Sequence, residues 1–518
     1  MTSLRRPRRA RLLAVCVAAL TALPLAAAAG VSAAPLAARA PSPSGEDRAV
    51  VRERTFPLDA ELFRALCTPG PVGVPREHTF EFFEDVRVTA VEDGIDDDHG
   101  TVVWSGHVKD QPDTSVVVAL RGLCKTGADR TSQGPVVVEV HADLGERVYH
   151  ARTVTGRPTQ LHVTEEDPFL RPLRAPDRPG IDPAAASAMR RSLQGGTEAT
   201  ADKPVVIDVI AGYTPKAVIA AGGQQQVINR IYWAERKMNE ALADSNVPAS
   251  VDVLGTYNTN YQGDNNAELM RVKLENPLDP DLGSRAHELR RRFGADLVTV
   301  VNEVAAMQST GNASLPTRGI FNSKLAFSAI DFNSLIDFYN LGHELGHNLG
   351  LFHDRYVLDA AALNDLNAPY GTGWVTPNKR HRTLMAYPDL CRPQLCTLVN
   401  QYSNTENTFN GQPLGDANNN NAALARLSTP IVAGYQTLTD SKTRHTLIVS
   451  STAGGTIRPA VYGPYKPGTV VGVTARPEAG YRLAAWLYDG VQYDAGPQFN
   501  VTMDHAHKLR GIFLPVNP

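Results

Sequence analysis

The sequence predicts an α+β (α/β-like) central domain on a mixed, mostly parallel sheet. A β-rich domain precedes it and a small all-β module follows it. Three observations predict this arrangement. Between 203 and 438, apolar strands alternate with helical stripes. From 34 to 172, short Val-rich strands are separated by Gly, Asp and Pro. From 443 to 518, short strands recur between glycine turns.

The first 33 residues read as an export signal. Arg5, Arg6, Arg8, Arg9 and Arg11 precede an apolar run from Leu12 to Leu25, and Val31-Ser32-Ala33 places a cleavage site after Ala33. The competing reading of that run is a membrane anchor. No later stretch is apolar enough to span a bilayer, so no span is expected after signal removal. In the N-terminal domain the strand segments are Phe80 to Val91, Thr101 to Val108, Ser115 to Leu120 and Val136 to His141. The acidic run Glu92 to Asp98 lacks the EF-hand spacing and its closing glutamate, so it reads as a solvated hairpin turn and leaves calcium unsupported. Residues 173–202 are rich in Pro, Ala and Gly and read as a linker. Arg190-Arg191 within it is either a proteolytic site or part of a plain connection.

In the central domain, Val205 to Ile210, Ser250 to Leu254 and Leu297 to Val301 read as buried strands. Val227, Ile231, Ala234, Met238 and Leu242 form a helical stripe, and Ala286 to Phe293 reads as a helix stopped by Gly294. Ala326 to Ile330 is a further strand. Asn418 to Asn421 reads as a polar loop leading into a last helix around Ala422 to Leu427.

Between that strand and that loop, a long helix is expected to open near Ser334 or Asp337, either of which could cap it. It leads into His343-Glu344-Leu345-Gly346-His347-Asn348-Leu349-Gly350-Leu351-Phe352-His353-Asp354. His343 and His347 are four apart and share a helix face. With His353 they make three imidazoles, enough to hold one Zn²⁺ with a fourth position open for water. Glu344 stands where a general base would take a proton from that water. Gly350 lets the backbone leave the helix, often at positive φ, so that His353 can swing back.

Downstream lies Thr383-Leu384-Met385-Ala386-Tyr387-Pro388. The extended histidine motif followed by this methionine turn resembles the metzincin metallopeptidases, and the branch it is most similar to is the bacterial reprolysin-like one. The resemblance covers most of Lys203 to Tyr435. It implies a metzincin fold with Met385 as an apolar floor under the metal. It implies that Asp354 braces the lower half of the domain. Tyr387 matches a tyrosine that ligates zinc or steadies the transition state in astacin-like members, or else it simply packs. The region Gly319-Ile320-Phe321 would supply an antiparallel edge strand to which extended substrate adds. Tyr402, Ser403 and Asn404 would line a primed-side pocket. The strand Trp104-Ser105-Gly106-His107 resembles bacterial pro-regions of this group, implying a propeptide. The segment around Gly480-Tyr481-Arg482-Leu483-Ala484-Ala485-Trp486 resembles a divergent internalin-type B repeat, implying a module that binds a surface or substrate, or a spacer. His505 and His507 could suggest a metal pair, but no third partner lies nearby to complete a site.

The chain has 518 residues, 42% of them hydrophobic, and a formal charge of -3, so nothing favours nucleic acid or an anionic membrane as partner. Of five cysteines, Cys16 falls in the signal. The even number left in an exported chain suggests disulfides Cys67–Cys124 and Cys391–Cys396. The alternative, known in some metzincin zymogens, is an N-terminal cysteine capping the zinc. The expected function is a secreted zinc endopeptidase acting on proteins or peptides and made as a zymogen. The rival is an extracellular adhesive protein with a dormant peptidase domain, against which the intact histidines and Glu344 argue.

Overall fold

A computed structural model describes residues 50–68, 76–98, 101–124, 136–145, 147–167, 198–200, 204–263, 266–303, 309–337, 339–393, 396–436, 445, 447–452, 454–460, 465–477, 480–496, 498–505 and 507–516. The export signal, and most of 173–202 with Arg190 and Arg191, lie outside these residues.

Eight strands form the N-terminal sheet: β1 (Val50–Pro57), β2 (Glu77–Phe83), β3 (Val86–Asp98), β4 (Thr101–Val108), β5 (Gln111–Arg121), β6 (Val137–Asp143), β7 (Val148–Val154) and β8 (Arg157–Glu166). Their order is β1-β8-β7-β6-β5-β4-β3-β2, with antiparallel pairing throughout. Both faces are covered. Phe80, Trp104, Val118 and Val140 pack on one side with Phe63 and Leu66 from the α1 (Ala60–Ala65) region. Val103, Val117 and Ala119 join the core of the central domain on the other. That double burial explains why β4 and β5 read as continuous apolar runs rather than alternating ones.

Two expectations are corrected here. The segment Phe80 to Val91 is not one strand but the β2–β3 hairpin. The acidic run Glu92 to Asp98 is not a turn but the second half of β3, paired with β4. Two of its charges find partners across the sheet: Trp104 Nε1 donates to Glu92 at 3.0 Å, and Asp93 lies 2.8 Å from His107 Nδ1.

The central sheet has the order β10-β9-β11-β13-β12, with β9 (Val205–Tyr213), β10 (Ala249–Asn258), β11 (Leu297–Asn302), β12 (Gly311–Ala313) and β13 (Phe327–Asp331). The pairs β9/β10, β9/β11 and β11/β13 are parallel; β12/β13 is antiparallel. Parallel neighbours need crossovers. Helices α2 (Pro215–Ala221) and α3 (Gln224–Asp244) supply the first, and α4 (Ala267–Glu275) and α5 (Gly283–Phe293) the second. Gly294 ends α5 in the left-handed conformation, with Arg290, Arg291 and Arg292 in the last turn where the helix dipole favours cations.

The helix carrying the histidines starts later than expected. Ser334 opens a separate single turn, α6 (Ser334–Asp337), and Tyr339 at φ 49 breaks the path before α7 (Asn340–Asn348). Ser334 instead anchors to the carbonyls of Asp331 and Thr310, at 2.8 and 3.2 Å. After α8 (Ala360–Asn364), the last helix of the domain is α9 (Asn421–Val432), capped by Asn420, whose side chain accepts from Ala423 N at 2.9 Å.

The C-terminal module consists of a four-stranded and a three-stranded sheet, closed over Val471, Val473, Trp486, Val501 and Leu509. Among the described residues, no helix is long and apolar enough to cross a membrane.

Candidate metal centre

Helix α7 brings His343 and His347 to one face, and its ending brings His353 to meet them. Leu351 N–H donates to Gly346 O at 3.0 Å and Gly350 N–H to His347 O at 2.8 Å, the paired bonds of a Schellman stop. Gly350 sits at φ 83, and a Cβ there would come within 2.8 Å of Phe321 Cζ. The same turn sets a ligand's tautomer, because His347 Nδ1 donates to Leu351 O at 2.8 Å. His343 Nδ1 donates to Leu384 O, also at 2.8 Å. With Nδ1 protonated on both rings, each Nε2 presents a lone pair.

Those lone pairs converge. His353 Nε2 lies 3.2 Å from His343 Nε2 and 2.9 Å from His347 Nε2. A tetrahedral zinc with nitrogens at 2.0–2.1 Å sets its ligand atoms about 3.3 Å apart. All three rings are buried. The donor set, tautomers and spacing therefore fit one zinc ion, with a fourth position unclaimed by these three.

The methionine turn supports this cluster from below. Met385 is fully buried, and a Cβ on Gly346 would stand 2.7 Å from its sulfur. Asp354 ties the turn to the histidine segment: one carboxylate oxygen accepts from Tyr387 N at 2.9 Å, the other from Tyr356 N at 3.1 Å. Burial pushes the Asp354 carboxyl up from its ordinary value, against these bonds and the charge of His353. The Tyr387 ring lies 4.8 Å from that of His353 and 5.9 Å from that of His343.

Glu344 is fully buried on α7, with Asn340 Nδ2 at 3.5 Å from its Oε1. Gly311 of β12 faces the same carboxylate, and a Cβ at that glycine would run into Oε1. Neither Gly311 nor Asn340 stood out in the sequence. The only signal was Asn340's place four residues before Glu344 on one helix.

The structure corrects the expected substrate residues. The antiparallel edge strand is β12, Gly311–Ala313, not the Gly319-Ile320-Phe321 segment. Gly319 N instead donates to Asn367 at 2.8 Å, while Ile320 and Phe321 are buried and Phe321 closes against Gly350. Tyr402, Ser403 and Asn404 are fully buried rather than lining an open pocket. Tyr402 donates its hydroxyl to Gly342 O at 2.8 Å, and burial pushes that phenol well up. Ser403 bonds Thr372 O at 2.7 Å, and Asn404 caps the turn just after it. Both disulfides are formed, Cys67–Cys124 and Cys391–Cys396, so neither N-terminal cysteine is a thiolate that could cap zinc.

Residues 227–354 match the family model described as metallo-peptidase family M12B, reprolysin-like. The chain carries a reprolysin-like metallopeptidase domain. Residues 445–514 match the divergent InlB B-repeat domain. Three curated relatives are each named peptidyl-Asp metalloendopeptidase. One, from Stenotrophomonas maltophilia strain R551-3, is 24% identical over 338 residues, 63% of this chain and 72% of the relative. Another, from Xanthomonas campestris pv. campestris, is 28% identical over 42% of this chain and 49% of its own. A third, from S. maltophilia strain K279a, is 29% identical over 46% and 55%. The chain thus spans about half the length of two of these relatives. A solved structure described as a chaperone-substrate complex is similar at TM-score 0.35 and 16% identity, covering 45% of this chain and 40% of that one.

Proposed function

We propose that this chain is a secreted zinc metalloendopeptidase of metzincin fold, made as a zymogen. The convergence of three Nε2 atoms on one point, on the helix that also carries Glu344, is the observation that supports it best. His343, His347 and His353 would hold the zinc, which when bound would supply a Lewis acid for the scissile carbonyl and lower the pKa of water to about 7. Glu344 takes the proton of the attacking water and passes it to the leaving amine. Its burial beside Gly311 and Asn340 keeps bulk water from competing for that proton. Tyr387, edge-on to two of the histidines, helps steady charge on the carbonyl oxygen. Asp354 acts through structure, fixing the methionine turn.

An extended peptide is read by its backbone at the β12 edge, Gly311–Ala313. Those residues are buried against α4 and α7 of the same domain, with Arg271 Nε of α4 donating to Asn312 at 2.6 Å. The relatives' shared name suggests a preference for bonds at aspartate.

The test is casein digestion by the mature enzyme and by Glu344→Gln, with zinc assayed in both. The parent is expected to cleave, with cuts enriched at Asp. The variant is expected to keep about one zinc and lose roughly 10²–10⁴-fold in rate. Zinc in both and cleavage by neither would overturn the peptidase reading.

A further inference from the structure

A second cluster of ligating side chains lies where the N-terminal sheet meets the central domain. His141 of β6 and His150 of β7 are directly opposed across the sheet, so their rings share one face. That face looks onto the central domain, where His141 packs edge-on against Trp233 of α3. Asp337, at the end of α6, reaches the same point from the other side. One ligand atom from each of His141, His150 and Asp337 lies within 4.8 Å of the others. Glu166 of β8 stands alongside, its carboxylate 3.7 Å from His150 Nε2.

His150 turns Nε2 towards Asp337, 3.4 Å away, and Nδ1 towards His141 Nδ1, 3.3 Å away. An imidazole ligates an ion through one nitrogen, so His150 would use the Nε2 that faces Asp337 and Glu166. Two neutral imidazoles and two carboxylates also balance a divalent charge, and mixed imidazole and carboxylate donors suit zinc. His141 is buried and the other three are partly so, which limits competition from water.

We propose that His141, His150 and Asp337, with Glu166 as a fourth ligand, bind one zinc ion that bridges the N-terminal sheet and the central domain. The clamp exists only in the intact chain, because its histidines and its aspartate belong to different domains. It grips α6, just ahead of the helix that carries His343. It therefore ties the hold of the N-terminal sheet to the frame of the first metal centre. The site depends on this geometry alone and does not require the peptidase reading.

The test counts ions. The intact chain with Glu344→Gln, which prevents self-cleavage, is stripped by a chelator and titrated calorimetrically with zinc chloride. Two ions per chain are expected, and one after adding His141→Asn and His150→Gln. A second measurement makes the result independent of how that variant folds. Cobalt(II) is added to the intact chain carrying His343→Ala and His347→Ala. The strong visible absorption of a four-coordinate site is expected there, and its loss on adding His150→Gln. A single zinc in the titration, or no such absorption with cobalt, overturns the clamp. Absent casein cleavage by the mature parent enzyme, beside two ions bound to the intact chain, would instead overturn the peptidase reading and leave the clamp standing.

Discussion

A Cβ at Gly311 would meet Oε1, Cδ and Cγ of the Glu344 side chain and no backbone atom among its nearest contacts, so that side chain would have to shift. The fold would therefore tolerate Gly311→Ala while the proposed general base would not. Gly311→Ala is expected to keep its zinc and to melt within about 1 kcal/mol of the parent. Its kcat is expected to fall by about 10²-fold, the scale set by a displacement of roughly 1 Å at a reacting group. Steady-state kinetics beside zinc content checks this; unchanged kcat would refute it. At this scale the sequence was legible where spacing alone fixes geometry. His343 and His347 share a face because a helix has its own period, and Gly350 implied the stop that returns His353. The roles of Tyr402, Ser403 and Asn404 were not legible. Whether a side chain lines a cleft or props a helix from beneath is decided by packing from distant segments, and here the Tyr402 hydroxyl sits under Gly342.

Helix α3 shows the same limit for whole elements. Its stripe of Val227, Ile231, Ala234, Met238 and Leu242 was readable from period alone, and all five are core. Its other face carries Arg230, Arg236, Lys237 and Glu240, which reads as a solvated side, yet all four are buried. The N-terminal sheet covers that face: Glu139 pairs with Arg230, Ser105 accepts from Arg236 at 2.8 Å, and Thr101 donates to Asn229 at 3.0 Å. The late start of α7 was hidden for a related reason, since Tyr339 gives no sequence signal of its left-handed backbone. The edge strand β12 is three residues long, too short for alternation to register. Removing one partner of a buried pair leaves an uncompensated charge, so Glu139→Ala should cost about 3–5 kcal/mol in the docking of the N-terminal sheet. Glu139→Leu with Arg230→Met should recover most of it, because both desolvation penalties vanish together. Urea unfolding of the intact chain, read at the transition that frees the sheet, measures the cycle; simple additivity of the single losses would show that the pair is not coupled.

The three parts of the molecule meet at ion pairs that no local pattern announces. Arg458 of the C-terminal module reaches Glu240 at 2.7 Å and Asp244 at 3.6 Å, both on α3. Arg476 of the same module pairs with Asp93 and lies 2.8 Å from His107 on the N-terminal sheet. Each of these residues alone reads as ordinary surface charge; only the docked arrangement gives it a partner. The two acids on α3 do not share Arg458 equally. Burial works against the Glu240 carboxylate, but Lys237 at 2.7 Å and Arg458 outweigh it and hold the group down at about 2. Asp244 is left with burial as its main influence, opposed by Arg458 and reinforced by the charge of Glu240, and is pushed up to about 6. A carboxyl raised in the folded state favours folding most while it stays protonated, below its unfolded value near 3.8. That contribution is lost as pH rises through about 6, and above this the ionised Asp244 is a net cost. Asp244→Asn keeps the shape and never ionises. It should raise the melting temperature at pH 8 by roughly 2–4 °C, with the gain shrinking through pH 6 and gone near pH 4. Paired calorimetric scans at these three values test it. An equal difference at pH 8 and pH 4 would mean that the variant acts through packing, and that Arg458 already satisfies both carboxylates.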